Sequence, residues 1–286
     1  MPISSTATYH NAKATFYRLP DGSLRLARVQ HITGAPRFRP LGWEELENAS
    51  RASQIDPAYM ADAVPDYDPP EGPDPANRAR ATRRARLLAY DLIQCNPDLD
   101  AFATFTYSPE AVTDKTDWAE TYRKIRSWFS NGVQRDGLRY IAVPELTKAG
   151  DIHFHAICTS SGLRLEQAFN PNTGRPIRHN GAPVFNIRNW TAGFSTAQII
   201  TRREAGDDPT DAISRYIFKY MTKNAGAKIG GRYVLKGGRL ALPLYDYADD
   251  PAAWTTPDNP PTNTYTRDLP DGSRYSCYDF GKPKTF

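Results

Sequence analysis

Cysteine is scarce: Cys95, Cys158 and Cys277 are the only three in 286 residues. Their number is odd, they lie far apart and none sits in a C-x-x-C pair. That excludes a disulfide framework or a zinc knuckle and reads as reduced thiols in a cytoplasmic protein. No apolar run is long enough to span a bilayer, and the N-terminal stretch MPISSTATYHNAKATF is polar, without the apolar core of a secretory signal. A G-x-x-x-x-G-K-[ST] phosphate loop is missing, so no nucleotide-driven motor of that type is read here. What remains is a globular composition, 40% apolar and 24% charged, sized for one large domain or one domain with an embellishment. A net charge of +4 permits nucleic-acid binding without requiring it.

The charge is spread unevenly. Residues 54–76 are rich in Pro and Asp and carry no basic residue, which reads as an exposed linker or loop. Five arginines follow within nine residues: Arg78, Arg80, Arg83, Arg84 and Arg86. They run into a helical pattern with Leu87, Leu88, Leu92 and Ile93 partly on one face. A solvated basic face and a phosphate-contacting face both fit, because phosphate contacts need only exposed arginines.

The remaining pattern alternates strands and helices. Residues 13–31 read as a β-hairpin turning at Asp21-Gly22, and a similar Pro-Asp-Gly-Ser turn recurs near the C-terminus. Residues 101–108, AFATFTYS, are β-rich and free of charge, as a central strand would be. A helix is expected from about Asp117, with Trp118, Tyr122, Ile125 and Phe129 on one face and Asn131-Gly132 as its stop. Residues 138–146 and 151–159 read as two antiparallel strands around a short Gly-containing turn. Residues 163–189 read as an insertion or second hairpin, and NWTAGFSTAQII returns to β character. Residues 211–224 read as a helix, capped at Thr210 or Asp211 and stopped at Asn224-Ala-Gly226. The expected fold class is therefore α+β, an antiparallel central sheet with helices packed on it. The expected division is an N-terminal extension over 1–76, a central domain over 77–248 and a C-terminal segment over 249–286.

Two of the five histidines stand in one tripeptide, His153-Phe154-His155. On a strand both imidazoles project to one face and Phe154 to the other. Two neutral imidazoles bind a divalent ion but under-coordinate it. A carboxylate would help complete the shell for Mg²⁺ or Mn²⁺, and Glu145, on the preceding strand, is the obvious third ligand. Strand register decides whether it lies beside the histidines. About 60 residues on, Tyr216, Lys219, Tyr220 and Lys223 form Y-x-x-K-Y-x-x-K, which puts both phenols on one helix face with a lysine three residues after each. A phenol is a poor nucleophile until a cation stabilises its phenolate. Taken singly, each motif also fits ordinary packing, as satisfied histidines on a half-buried strand and as an amphipathic core helix.

In this order, Ala103-Thr104-Phe105-Thr106-Tyr107, Glu145 with His153-Phe154-His155, and Tyr216 to Lys223 resemble the three motifs of the HUH endonuclease superfamily. The nearest resemblance is to rolling-circle replication initiators of small phages and plasmids, in their two-tyrosine form. Phe105 stands where that family usually has Leu. The resemblance covers roughly residues 80–245 and implies a ferredoxin- or RRM-like sheet with the histidines on a central strand. It also implies a divalent metal held by Glu145, His153 and His155, and a tyrosine that attacks one strand of origin DNA and holds its 5′ end. Partners would be single-stranded origin DNA, a host helicase and a host polymerase, in the cytoplasm of a bacterial or archaeal host and without a membrane. The arginines at 78, 80, 83, 84 and 86 would contact DNA. The rival readings are a relaxase or transposase of the same superfamily, a non-catalytic DNA-binding replication or regulatory protein, and an unrelated metalloenzyme.

Overall fold

The computed structural model describes residues 10–19, 22–34, 75–147, 149–200, 234–269 and 272–280. Within them the strands, in chain order, are β1 (Ala12–Arg18), β2 (Leu24–Thr33), β3 (Ala101–Tyr107), β4 (Tyr140–Leu146), β5 (Ile152–Cys158), β6 (Leu165–Gln167) and β7 (Arg178–His179). They continue as β8 (Ala182–Pro183), β9 (Phe185–Ile187), β10 (Gly193–Ile199), β11 (Leu235–Gly237), β12 (Leu244–Ala248), β13 (Asn263–Asp268) and β14 (Arg274–Asp279). The α-helices among the described residues are α1 (Pro75–Cys95) and α2 (Trp118–Asp136). The architecture is α+β, and every described strand pairing is antiparallel. The chain divides into two units, one from residues 52–240 and one from residues 1–51 with 241–286.

The unit made from the two ends holds a five-stranded sheet in the order β12-β1-β2-β14-β13. Both of its hairpins carry the pentapeptide Leu-Pro-Asp-Gly-Ser, at 19–23 and 269–273. Each closes alike: the Leu carbonyl accepts from the Gly N–H, at 2.9 and 3.0 Å, and the Leu N–H donates to the Ser carbonyl, at 2.8 and 2.7 Å. Gly22 and Gly272 sit at φ +84° and +79°, the left-handed region that glycine enters without steric cost. The two terminal segments, read from the sequence as separate extensions, thus share one sheet through the β2–β14 pairing. β12 pairs with β1, so residues 244–248 belong to this sheet rather than to the central domain drawn to 248.

The other unit is built on a seven-stranded sheet in the order β11-β4-β5-β3-β10-β9-β6. AFATFTYS is central as expected, with β5 on one side and β10 on the other. Its alternation sorts the two faces. Ala101, Ala103, Phe105 and Tyr107 are buried in the main core, while Phe102, Thr104 and Thr106 are half-buried on the opposite face. Helix α2 covers the core face. Asp117 caps it by accepting from the Ala119 and Glu120 N–H groups at 2.7 and 3.2 Å. Its Ile125 and Phe129 pack into the cluster with Phe105 and Phe154.

Asn131-Gly132 does not end α2. The helix runs to Asp136 and stops at Gly137, which takes φ +66° and donates its N–H to the Gly132 carbonyl. Gly132 serves packing: a Cβ there would stand 2.9 Å from the Leu138 side chain. Glycine at this position lets the returning chain close against the helix.

Tyr107, the last residue of the first motif, is a core residue and no candidate nucleophile. Its hydroxyl donates to the Thr121 carbonyl of α2, and burial raises its pKa far above the ordinary phenol value. Tyr107→Phe is expected to cost about 1 kcal/mol of stability and to leave DNA chemistry unchanged, which thermal melting and a nicking assay check together.

Candidate active site

The site begins with a turn. The Thr147 N–H donates to the Asp151 carbonyl at 2.9 Å and the Gly150 N–H to the Thr147 carbonyl at 3.0 Å, with Gly150 at φ +90°. That turn pairs Leu146 with Ile152, and the pairing then runs Glu145 with His153, Pro144 with Phe154, and Val143 with His155. Directly opposed residues of an antiparallel pair project to one face. Glu145, His153 and His155 therefore share a face, and Phe154 is buried in the core behind them.

The three side chains differ in environment. His155 is 5% exposed. Its Nε2 bonds the Glu145 carboxylate and its Nδ1 lies 3.1 Å from Thr104 Oγ1. Phe102, two residues before Thr104 on the same face, stacks on the imidazole with ring centroids 5.7 Å apart. Three neighbours thus fix the ring. His153 is half-buried, and burial lowers its pKa below the ordinary imidazole value. Glu145 and Asp151 oppose that shift by attracting the imidazolium, and Lys115 reinforces it. A shift in this direction favours the neutral imidazole, the state that offers a lone pair to a cation.

Among the described residues no three His, Cys, Asp or Glu side chains close around a common point that holds a metal as they stand. Two of the expected ligands, Glu145 and His155, are in direct contact through His155 Nε2 and a Glu145 carboxylate oxygen. The donor set still suits a divalent cation. It pairs a carboxylate with an imidazole nitrogen whose partner nitrogen is held by a hydroxyl, and it places a second neutral imidazole across the ladder from the carboxylate.

Thr104 is a functional candidate that the sequence did not single out. A threonine hydroxyl both donates and accepts. It serves His155 Nδ1 whether Nε2 carries a proton or ligates a cation. Its signal was present as a motif position, but its role needs the β3–β5 register that sets Thr104 opposite His155. Thr104→Val keeps the shape and removes the hydroxyl. It is expected to weaken Mn²⁺ binding about 10- to 100-fold, with Thr104→Ser restoring it, as titration calorimetry would show.

Tyr216, Lys219, Tyr220 and Lys223 lie outside the described residues, as does the helix expected over 211–224. The acidic stretch at 54–74 lies outside them too. The arginine run is the N-terminal part of α1. Arg84 is exposed, and Arg86 is half-buried with an Nε that lacks a hydrogen-bond partner. The side chains of Arg78, Arg80 and Arg83 lie outside the described atoms. None of the five arginines belongs to the Glu145–His153–His155 constellation by any described contact. Leu92 and Ile93 of α1 are fully buried, while Leu88 is exposed.

Residues 100–225 match the family model of the Replication-associated protein ORF2/G2P. This is a family of rolling-circle replication initiators. The matched segment starts beside β3, contains Glu145, His153 and His155, and extends through Tyr216, Lys219, Tyr220 and Lys223. It excludes the arginine run and the five-stranded sheet. No curated protein and no solved structure matches the chain.

Proposed function

We propose that this protein is a replication initiator that nicks and rejoins single-stranded origin DNA by transesterification. The observation that carries the reading is the shared face of Glu145, His153 and His155, set by register inside the segment that matches the initiator family. The wider reading, an HUH endonuclease of two-tyrosine form, rests on the ordered motifs and is supported by that match.

Glu145, His153 and His155 would hold a divalent ion, Mg²⁺ or Mn²⁺, which when bound supplies Lewis acidity at a phosphodiester oxygen. The chain's own groups do the rest. The phenol oxygen of Tyr216 or Tyr220 attacks phosphorus, and the bond from phosphorus to the 3′ oxygen breaks. The phenol proton is lost to solvent and the departing 3′ oxygen takes one up. The product is a 5′-phosphotyrosine and a free 3′ hydroxyl that primes synthesis. Lys219 and Lys223, each three residues beyond a tyrosine, stabilise the phenolate or pair with the phosphate. The second phenol repeats the attack at the end of a round, and the 3′ hydroxyl rejoins by the reverse reaction. Thr104 and Phe102 act through His155 as positioning residues.

In this reading the arginines of α1 bind DNA phosphates, and strand opening and synthesis fall to host helicase and polymerase in a bacterial or archaeal cytoplasm. No described helix is long and apolar enough to cross a membrane. A non-catalytic DNA-binding replication protein is the second reading, in which Glu145 and His155 serve as a packed polar pair on the sheet. Strand cleavage by the wild type that is lost in Tyr216→Phe combined with Tyr220→Phe separates the two, because a non-catalytic protein cleaves in neither form. The initiator reading expects loss of strand cleavage with DNA affinity retained; cleavage that survives the double substitution removes both tyrosines from the mechanism.

A further inference from the structure

The ladder that aligns Glu145 with His153 continues across two more strands. His153 is opposite Thr106 of β3, and Thr106 is opposite Phe194 of β10. Phe194, Thr106, His153 and Glu145 therefore form one row on one face of the sheet. With strands about 4.8 Å apart, Phe194 stands about 10 Å from His153 across the row. Its ring is 62% exposed, more than any other large hydrophobic side chain among the described residues. A single exposed phenylalanine is ordinary. This one lies in line with the candidate site and is flanked on its own face by Thr106 and Thr196, not by an apolar patch that another protein would cover.

The ring also stands on rigid backbone. Gly193, at φ +147°, brings β10 so close to β3 that a Cβ there would collide with the Thr106 carbonyl and the Ser108 amide. The Ser108 N–H donates to the Ala192 carbonyl at 3.0 Å. Farther along the same face of β10, Gln198 holds the β7–β8 hairpin: its Nε2 donates to the His179 carbonyl and its Oε1 meets His179 Nδ1, both at 3.3 Å. That hairpin carries the exposed Arg178, and the turn before it carries the exposed Arg175. Residues 167–203 contain no Asp or Glu at all. A protruding aromatic ring, hydroxyls beside it and an acid-free basic arm at the end of the same strand suit a strand with unpaired bases and a phosphate backbone.

We propose that Phe194 is a stacking platform for an unpaired base of single-stranded DNA near the phosphate presented to Glu145 and His153, with Arg175 and Arg178 contacting the backbone farther along. The choice of ligand rests on the proposed function; the platform itself does not require cleavage. Stacking on a ring is sequence-tolerant, so this contact holds and orients the strand rather than reading the origin.

The test is fluorescence anisotropy of a fluorescein-labelled mixed-sequence single strand, with EDTA present so that binding is read without chemistry. Phe194→Ala is expected to weaken binding about 10-fold or more, and Phe194→Trp to retain it. Arg175→Gln with Arg178→Gln is expected to flatten the dependence of log affinity on log salt by about 0.7 per lost contact, a slope that Phe194→Ala leaves alone. Because the ring is exposed, Phe194→Ala is expected to melt close to wild type, which thermal melting checks, and Phe194→Trp provides the folded comparison. Wild-type affinity in Phe194→Ala, or a wild-type protein that ignores the strand, overturns the inference. If Phe194 governs binding but no covalent adduct ever forms, the nicking reading fails and the platform stands. If adducts form and Phe194→Ala binds normally, the reverse holds.

Discussion

Glu145→Gln lowers Mn²⁺ affinity by on the order of 100-fold or more while shifting the melting temperature little. The magnitude follows from a comparison: partners that only orient a metal ligand are worth about 10- to 100-fold in affinity, and Glu145 is placed as a ligand itself. The small stability effect follows from geometry. Glu145 and His155 touch in a largely buried setting, and the glutamine amide oxygen replaces one carboxylate oxygen as acceptor for His155 Nε2. His155→Ala, by contrast, loses affinity and stability together. It empties the space between Thr104, Phe102 and Glu145 and leaves a largely buried carboxylate without its partner, a change that costs about 3 kcal/mol or more. Calorimetric titration with Mn²⁺ beside thermal melting separates the two variants. Equal Mn²⁺ affinity in wild type and Glu145→Gln would remove Glu145 from the ligand set.

Gly193→Ala is the most damaging single methyl expected in this unit, about 3 kcal/mol or more. The added Cβ meets backbone on β3, at the Thr106 carbonyl and the Ser108 amide, so no side chain is free to move aside. The residue also holds φ +147°, a conformation that alanine adopts only under strain. The strain falls on the row that carries Thr106 and Phe194, so single-strand affinity is expected to fall with the melting temperature. Gly137→Ala, in open space at φ +66°, provides the contrast of a strained glycine without a collision, at about 1 kcal/mol. Chemical denaturation of both variants checks the difference.

Much of the fold was legible because its signals are local. Alternation in AFATFTYS gave a strand with one core face, and the spacing of Trp118, Tyr122, Ile125 and Phe129 marked α2 from about Asp117. Gly132 misled because glycine ends helices and also lets chains pack closely, and only the tertiary neighbour Leu138 distinguishes the two uses. The pairing of the terminal hairpins was not legible: β2 and β14 are some 240 residues apart, and two identical turns say nothing about which strand edges meet. At the site, residue types were legible and adjacency was not. Glu145 stood eight residues before His153, but the turn at Thr147–Asp151 decides that the two are opposite one another. Thr104, Phe102 and Phe194 acquire meaning only from cross-strand register, which single-sequence spacing does not contain.

The central claim is tested most directly with a single strand from the origin of the element that encodes this protein, labelled at its 3′ end. It is incubated with the protein and Mn²⁺ or Mg²⁺ and run under denaturing conditions. The account predicts a metal-dependent labelled protein band, with the DNA 5′ phosphate mapped by mass spectrometry to Tyr216 or Tyr220. A protein that binds this strand yet forms no adduct with either metal, or an adduct on any other residue, would contradict it.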